Sequence, residues 1–547
     1  MVRELDNTGE DMVIDGVEAG QKQNNEIPDG FNSNYLKIYY GKFFPYADMH
    51  KWMSYGNDGK HPGCDQSYFG RREFSFTLEN DIYLRFQSFN DINELEKSIK
   101  EKCPVKIDIG PVYSVDPAKR HAYAQSGNNV FTPVERELIF DIDISDYDDV
   151  RFCCSGADVC PKCWPLMTAA IKVVDTALRD DFGFNHILWV YSGRRGVHCW
   201  VCDGKARRLN NEQRAAITEY LHVHKGNENS QKKVTLSSHS LHPFLGRSYA
   251  DVLKDFFEQE FILSQELFST ERYERILEMI PDETITSELR GKWQDNKRSR
   301  DDVNVVRWGH IKHLLQSGKQ KVLGIAHCTL LNILSWAGDL NFVATQVSKH
   351  MNHLLKAPFC IHPKTGRVCV PIDPNKCEEF DPSAVPTLAR LLEELNTGAL
   401  GTGSKEELEN SSLGKSIRYF MSSFLQPLLK SCKEEIESLF AAKAQQSKNS
   451  LSCFRSRCFG TVFCPFGWVL SVVVVGSRGL CFSVMEEGSS LCFCFVVVLF
   501  VCFVGPLLCY MALKMSVIGP DWVLTPSWLP IRMKVDRISR CCGGVDL

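Results

Sequence analysis

The sequence predicts a chain of the α/β (α+β) class, with a mixed-sheet core and a helical subdomain. Short runs rich in β-forming residues recur along the N-terminal part: REFSFTL, DIYLRFQSF, VKIDIGPVYS, ELIFDIDI and HILWVYSG. Between the last two runs, MTAAIKVVDTALRDDF places Met167, Ile171, Val174 and Leu178 at helical spacing. After about residue 205, charged segments with a helical pattern dominate. Strands mixed with helices in one chain indicate an α/β or α+β core.

The composition excludes several classes of protein. The chain has 547 residues, of which 44% are hydrophobic and 24% are charged, which is ordinary for a chain that buries a large core. It is therefore not mainly disordered, collagen-like or a small disulfide scaffold. The formal net charge is -4, so any contact with DNA or RNA must come from a local basic patch rather than from a global basic field.

The chain divides into segments of different character. The first thirty residues contain eight acidic and two basic residues without an apolar run, so we expect a solvated tail rather than a secretory signal. The cysteines of the core are then expected in a reducing compartment, where clusters indicate metal more than disulfides. We predict, in order, a disordered acidic tail (1–30), a core with a cysteine-rich loop at 153–163 (31–204), a helical subdomain (205–320), an atypical segment (321–346), a return to the core (347–396), a linker and C-terminal helix (397–450), and an atypical hydrophobic tail rich in cysteine outside the fold (451–547).

A pair of carboxylates lies on one predicted strand, in ELIFDIDISDYDD. Asp141 and Asp143 are two residues apart, so they point to the same face while Phe140 and Ile142 pack behind them. Two neighbouring carboxylates repel each other and need cations, and Mg²⁺ or Mn²⁺ could bridge such a pair in phosphoryl transfer. An isolated Asp-x-Asp is more often a solvent-facing strand end. The apolar flanks and the motifs that follow favour the metal site.

Four cysteines follow at once, in RFCCSGADVCPKCW. Cys153, Cys154, Cys160 and Cys163 have the spacing C-C-x5-C-x2-C, and four thiolates on a short loop match the tetrahedral preference of structural zinc. The CPKC half could instead be a redox pair, or the four thiols could be buried by coincidence. Four cysteines within eleven residues favour zinc.

A glycine-rich basic turn is predicted in VYSGRRGVHCWV. Its glycines allow backbone N–H groups to approach an anion, and Arg194 and Arg195 offer forked donors to phosphate oxygens. Ser192 and His198 lie in the same turn region. A second basic cluster, which includes His353, Lys356 and His362, could meet the same phosphates across a cleft. A basic surface turn and solvated charges are the alternatives for these two motifs taken alone.

These motifs together strongly resemble the small catalytic subunit family of eukaryotic DNA primases. The resemblance runs from about Tyr35 to Asn396, with gaps, and rests on DID, the cysteine spacing and SGRRGVH. It implies an archaeo-eukaryotic primase fold and a nuclear enzyme that makes short RNA primers on single-stranded DNA from ribonucleoside triphosphates. Such a subunit works with a large subunit and with the DNA polymerase alpha complex, and it uses Mg²⁺ or Mn²⁺ and structural Zn²⁺.

The resemblance also implies roles for individual residues. Asp141 and Asp143 match the metal-binding carboxylates, and Glu73 matches a further catalytic acid. Asp108 matches a contact to the ribose 2′-hydroxyl, which a carboxylate can accept. Nucleotide or phosphate contacts are implied for Arg85, Asp108, Ser192, Arg194, Arg195, His198, His353, Lys356 and His362.

The sequence departs from the family in two places. The family has a third metal-binding Asp three residues before VSK, where this chain has Ala344 and where the nearest acid is Asp339. A catalytically impaired, nucleotide-binding or scaffolding subunit is therefore the alternative to an active primase. The second departure is the tail, whose residues 491–513 are apolar enough to span a bilayer and leave a membrane-anchored protein as a third hypothesis. We expect no membrane, because a nuclear replication enzyme needs no anchor.

Overall fold

The computed structural model divides into two compact units, residues 1–436 and 437–547. The predicted tail 1–30 and the atypical segment 321–346, including Ala344 and Asp339, lie outside the residues that the structure describes. The described residues are 33–124, 131–148, 150–221, 243–278, 280, 283–295, 302–317, 349–396, 408–457, 460–463, 469–474, 480–485, 498–500, 511–514 and 529–531.

The first unit contains both helices and strands, with a run of helices between β7 and β8. The α-helices are α1 Ser33–Lys42, α2 Tyr46–Ser54, α3 Ile92–Lys102, α4 Arg120–Ala124, α5 Trp164–Asp180, α6 Gly204–Arg207, α7 Asn211–Leu221, α8 Pro243–Ser248, α9 Lys254–Phe256, α10 Ile262–Ser264, α11 Tyr273–Leu277, α12 Glu283–Asp295, α13 Val303–Ser317, α14 Leu388–Asn396, α15 Gly414–Tyr419 and α16 Gln426–Arg457, the last of which begins in this unit and ends in the second. The strands are β1 Arg72–Thr77, β2 Tyr83–Gln87, β3 Lys106–Tyr113, β4 Pro133–Glu135, β5 Leu138–Asp143, β6 Ile187–Tyr191, β7 Gly196–Val201, β8 Leu355–Lys356 and β9 Pro371–Ile372. The predicted class, helices combined with sheets, is confirmed.

The first sheet has the order β2-β1-β3-β4, and β8 also pairs with β3. Phe74, Phe76, Ile107 and Ile109 fill the core on one face of this sheet. Because side chains alternate along a strand, the residues between them form a second, polar face. Ser75 lies directly opposite Asp108, and Asp108 directly opposite Lys356, in the antiparallel register.

The second sheet has the order β5-β7-β6-β9. Its neighbouring strands are antiparallel, as are those of the first sheet. Among the described residues the core is therefore of the α+β type, which the predicted class includes. Strands β6 and β7 are buried along their whole length and are joined by the turn 192–195. Helix α5 begins at Trp164 with a proline in its first turn and buries the apolar stripe that its sequence predicts.

A buried ion cluster ties the two sheets together. The carboxylate of Glu137, just before β5, accepts hydrogen bonds from Arg72 of β1, from Arg136 and from the hydroxyl of Tyr55. The two guanidinium groups hold the pKa of Glu137 well below its usual range against the effect of burial. A buried carboxylate is stable only when its oxygens are paired in this way.

The helical region 243–317 packs beside this core. Its first part alternates α-helical segments with the π-helical turns Tyr249–Leu253 and Phe257–Phe261. The second unit contains two antiparallel three-stranded sheets, formed by β10 Gly460–Phe463, β11 Val469–Val474 and β12 Leu480–Met485, and by β13 Val498–Phe500, β14 Met511–Lys514 and β15 Leu529–Ile531. Within the described part of the chain, we find no helix with the length and apolar character needed to cross a bilayer.

Candidate active site

The two predicted metal-binding carboxylates lie at the end of β5. Asp141 faces His198 of β7, and Asp143 faces Gly196, in the strand register. Both carboxylates are about one-third exposed, while Phe140 and Ile142 behind them are fully buried. A side chain at Gly196 would lie 2.3 Å from the carbonyl oxygen of Ile142, so only glycine allows the two strands to approach here.

Each carboxylate has a cationic or polar neighbour from the predicted phosphate turn. The guanidinium of Arg195 pairs with Oδ2 of Asp143, at 2.9 Å from Nε and 2.7 Å from Nη2. His198 Nε2 lies 3.6 Å from Asp141 Oδ1, which is too long for a hydrogen bond. The carboxylate strand and the basic turn therefore form one constellation, as their sequence motifs predict.

The turn 192–195 is fixed by its own hydrogen bonds. Ser192 Oγ accepts from the backbone N–H of Gly196 at 3.0 Å, and the hydroxyl of Tyr191 donates to the carbonyl of Arg194. Gly193 has a φ of 90°, in the region that favours glycine. These bonds leave the side chains of Arg194 and Arg195 partly exposed beside the carboxylates.

The second basic cluster packs against the same turn. Lys356 Nζ donates to the carbonyl of Ser192 at 2.7 Å, and Thr365 Oγ1 donates to the carbonyl of Gly193 at 2.6 Å. A Cβ at Gly193 would lie 2.6 Å from Cβ of His362, so the glycine is also needed for this close approach. The structure thus brings Lys356 and His362 to the turn from a distant part of the chain.

The electrostatics of this region are those of a positively charged site. Burial, followed by Lys356 and Lys106, lowers the pKa of His198 well below its usual value. Burial, followed by Lys356 and Arg194, lowers the pKa of His362 to about 3. Both imidazoles are therefore neutral at pH 7, and the positive charge is carried by lysine and arginine side chains. An anion with several charges is the ligand that such a site favours.

Asp108 lies on the polar face of the first sheet, beside this cluster. It is almost completely buried, and burial raises its pKa although Lys106 and Lys356 act in the opposite direction. Its Oδ1 lies 3.3 Å from Lys106 Nζ but has no hydrogen-bond partner of normal geometry among the described residues. The hydroxyl of Ser75 donates to Oδ2 over a long 3.4 Å. A buried carboxylate oxygen without a well-aligned donor is suited to accept a hydrogen bond from a ligand.

Glu73 and Arg85 lie next to Asp108 on the same face. The carboxylate of Glu73 is fully buried and accepts hydrogen bonds from Arg85 Nε at 3.1 Å, from the backbone N–H of Phe86 at 3.2 Å and from the hydroxyl of Tyr113 at 3.1 Å. The side chain of Arg85 is about one-fifth exposed. Glu73 therefore lies close to the site with its oxygens already engaged.

His353 is placed differently from the other implied contacts. Its side chain is exposed, and its carbonyl accepts a hydrogen bond from Arg136 Nε at 3.1 Å. Arg136 belongs to the buried ion cluster, so that cluster also holds the chain segment that leads into Lys356. The role of His353 as a nucleotide contact stays a prediction.

The four cysteines of the predicted zinc knuckle come together. Their sulfur atoms all lie within 4.8 Å of one another, and those of Cys160 and Cys163 are 3.9 Å apart. Tetrahedral zinc with bonds of about 2.3 Å requires sulfur separations of about 3.8 Å, so the four thiols fit the ion. Gln265 Nε2 donates to Cys153 Sγ at 3.5 Å and to the carbonyl of Lys162, and thereby links the knuckle to the helical region.

The predicted divalent metal site has two carboxylates in the described part of the chain, Asp141 and Asp143. Apart from the cysteine knuckle, the described residues contain no cluster of three or more groups that could hold a metal. The segment in which the family carries its third Asp lies outside the described residues. Asp141 and Asp143, on one face of a strand, fit a divalent cation by their chemistry.

Some residues that contact the site were not predicted from the sequence. Lys106 could have been found, because it lies two residues before Asp108 in KID and so points to the same face. Thr365 and Tyr113 could not, because their partners lie 172 and 40 residues away in the chain. The backbone N–H of Phe86 carries no sequence signal at all.

Comparisons with known proteins show the family to which this chain belongs. A family model described as DNA primase small subunit matches residues 140–374. The DNA primase small subunits of Schizosaccharomyces pombe and Drosophila melanogaster are each 40% identical to this chain, over 72% and 68% of it and 84% of their own lengths. That of Saccharomyces cerevisiae is 34% identical over 67% of this chain and 87% of its own length.

Among solved structures, the polymerase domain from Mycobacterium tuberculosis Ligase D in complex with DNA covers 63% of this chain at 10% identity, with a TM-score of 0.26. A score this low carries no argument about the fold. The curated relatives carry the assignment, since the three named above exceed 30% identity and are matched over more than four-fifths of their lengths. The carboxylate strand, the basic turn and the cysteine knuckle thus lie in a chain that belongs to the DNA primase small subunit family.

Proposed function

We propose that this chain is the catalytic small subunit of a DNA primase, a DNA-directed RNA polymerase that makes short RNA primers on single-stranded DNA during replication. The observation that supports this most is the meeting of Asp141 and Asp143 with the basic turn and Lys356 in one site. Carboxylates for metal beside cations for phosphate are the parts that nucleotidyl transfer requires. The chain's membership of the family supports the same conclusion.

The basic residues would bind the triphosphate of the incoming ribonucleotide. Arg194 and Arg195 offer forked N–H donors, and Lys356 offers a point charge from the opposite side of the turn. The neutral imidazoles of His198 and His362 can donate single N–H groups without adding charge. As the leaving pyrophosphate gains charge, these donors would stabilise it, and Lys356 is already held beside the turn by its hydrogen bond to the carbonyl of Ser192.

Asp141 and Asp143 would hold the divalent cations, Mg²⁺ or Mn²⁺. When bound, these ions activate the primer 3′-hydroxyl as Lewis acids and neutralise charge on the transferred phosphoryl group. Arg195, which pairs with Asp143 in the structure, would then be available to a phosphate oxygen. The zinc knuckle would be structural, because four cysteine ligands leave no open position for substrate.

The proposed activity is tested by primer synthesis on a poly-dT template with ATP and Mn²⁺, using the chain purified with its large subunit. We expect short oligoadenylate products that depend on template and metal. The alternative, an impaired scaffolding subunit, rests on the missing third Asp and predicts no product from a correctly assembled complex. The comparisons do not favour this alternative, since the relatives are themselves DNA primase small subunits.

Asp108 is expected to select ribose over deoxyribose. Its Oδ1 would accept the hydrogen bond of the 2′-hydroxyl, which a deoxyribonucleotide lacks. The preference for ribose is measured as kcat/KM for ATP divided by kcat/KM for dATP. Replacing Asp108 by alanine should lower this ratio by about tenfold to a hundredfold, which corresponds to the free energy of a hydrogen bond to a charged group. Asp381→Ala, at an exposed carboxylate, is the matched control. An unchanged ratio in Asp108→Ala would rule out this role.

The partners follow from the same proposal. We expect the chain to work with a primase large subunit and the DNA polymerase alpha complex, on single-stranded DNA with ribonucleoside triphosphates. A replication enzyme of this kind in a eukaryote acts in the nucleus, and we propose that location. The net charge of -4 fits a subunit that leaves much of its template affinity to a partner.

A further inference from the structure

A bulge interrupts the pairing of β1 with β2 beside the proposed nucleotide site. Phe74 pairs with Gln87 and Phe76 with Leu84, so Ser75 alone faces two residues, Arg85 and Phe86. A bulge of this kind bends a strand and redirects its side chains, and bulges are common next to active sites. Here the redirected side chain is that of Arg85.

The backbone at the bulge has an unfavourable conformation. Phe86 has a φ of 59°, which bulky residues rarely adopt because the side chain crowds the backbone. Such a conformation persists only where its surroundings hold it. Two arginines lie over the Phe86 ring, with the guanidinium carbon of Arg85 at 4.6 Å and that of Arg120 at 4.2 Å from its centre. The backbone N–H of Phe86 donates to Glu73 Oε1 at 3.2 Å.

Glu73 has no oxygen left for a ligand. Oε1 accepts from Phe86 and from Arg85 Nε, while Oε2 accepts from the hydroxyl of Tyr113 at 3.1 Å and lies 3.5 Å from Arg85 Nη2. These four contacts match the about four lone-pair sites of a carboxylate. The backbone of Gly110 also packs closely against Glu73, because a Cβ added at Gly110 would lie 3.0 to 3.2 Å from the Glu73 side chain. A group that takes a proton or binds a metal needs a free lone pair directed at the reacting atoms.

We infer that Glu73 is a positioning residue, which holds the left-handed bulge at Phe86 and the guanidinium of Arg85 so that Arg85 reaches the incoming nucleotide. Glu73 then acts on the nucleotide only through Arg85. This differs from the catalytic acid that the family resemblance implies. The inference rests on the proposed function in one respect, namely that Arg85 contacts the nucleotide.

A double-mutant cycle tests this inference through nucleotide affinity, which requires no turnover. The affinity of the small and large subunit complex for ATP with Mn²⁺ is measured by calorimetry for Glu73→Gln, Arg85→Ala and the double variant. We expect each single variant to bind ATP about tenfold more weakly, because it loses a hydrogen bond to a charged group. The double variant should bind ATP no more weakly than Arg85→Ala does. In steady-state synthesis, Glu73→Gln should raise KM for ATP and change kcat little.

Glu274→Gln and Arg290→Ala form the matched control. Glu274 and Arg290 make a similar carboxylate–guanidinium pair in the helical region, with bonds of 2.9 to 3.1 Å. Neither change should alter ATP affinity. If Glu73→Gln does not fold, Tyr113→Phe takes its place, because it removes one donor to Glu73 and keeps the aromatic ring. Tyr113→Phe should weaken ATP binding in the wild-type chain and have no effect on ATP affinity in a chain that also carries Arg85→Ala.

Three results would overturn the inference: losses that multiply in the double variant, ATP affinity that survives Glu73→Gln while turnover disappears, or ATP affinity that survives Arg85→Ala. The proposed function fails separately. A wild-type complex that makes no primer but shows the expected coupling refutes synthesis and keeps the positioning role. A complex that makes primers without the coupling refutes the positioning role alone.

Discussion

Replacing Asp141 by alanine should abolish primer synthesis and leave the fold intact. The carboxylate is one of the two groups in the described part of the site that we propose to bind divalent metal. A catalytic metal contributes several kcal/mol to the transition state, so we expect a loss of about a thousandfold or more. The fold should survive because the side chain is 35% exposed, while Leu138, Phe140 and Ile142 of the same strand provide the packing. Primer synthesis with Mn²⁺ and a thermal melt measure the two effects.

Asp255→Ala is the control for Asp141→Ala. Asp255 is exposed on a helix of the helical region, so its loss removes a charge of the same sign outside the carboxylate strand. Synthesis should continue at the wild-type rate in this control. Substantial synthesis by Asp141→Ala would show that the catalytic assignment is wrong, and a large drop in Tm would show that the residue supports the fold instead.

Replacing Cys160 by serine should remove the zinc and loosen the knuckle. Four thiolates hold structural zinc, and three leave an open position that water fills, so binding should fall from about one ion per chain towards none. Cys163 is fully buried, and Gln265 ties the knuckle to the helical region, so the loss should also lower Tm. Atomic emission measures the metal, and a thermal melt measures the stability.

Cys64→Ser separates the knuckle from a general effect of losing a thiol. Cys64 is a partly buried cysteine outside the knuckle, with its thiol directed at the carbonyl of Gly56. This control should keep its zinc and most of its stability. A full complement of zinc in Cys160→Ser would mean that the ligand set is different from the four cysteines named here.

The sequence predicts most of the second sheet and its site. The alternation in ELIFDIDI places Asp141 and Asp143 on one face, and the glycines and arginines of SGRRG predict the turn that meets them. These features are local, because a strand and a short turn are encoded by neighbouring residues. The helix α5 and the cysteine knuckle are local in the same sense and were predicted for that reason.

The arrangement between distant segments could not be predicted. The pairing of β8 with β3 places Lys356 opposite Asp108. The residue pattern of neither segment predicts this pairing. The positive φ at Phe86 is equally hidden, since the residue type argues against it. Such features arise from tertiary packing, which overrides local preference. The family resemblance implied a catalytic acid at Glu73, whereas the four contacts to its carboxylate depend on residues that only the fold brings together.

The close approach of Gly193 to His362 has a consequence for folding. The donors that complete the basic turn, Lys356 and Thr365, come from 164 and 172 residues later in the chain. Closing loops of this length is slow compared with forming local helices and hairpins. A nascent chain can therefore form the hairpin of β6 and β7 early, whereas the proposed nucleotide site would be complete only when the later segment has docked. ATP, once bound, would then favour the fully folded state by mass action.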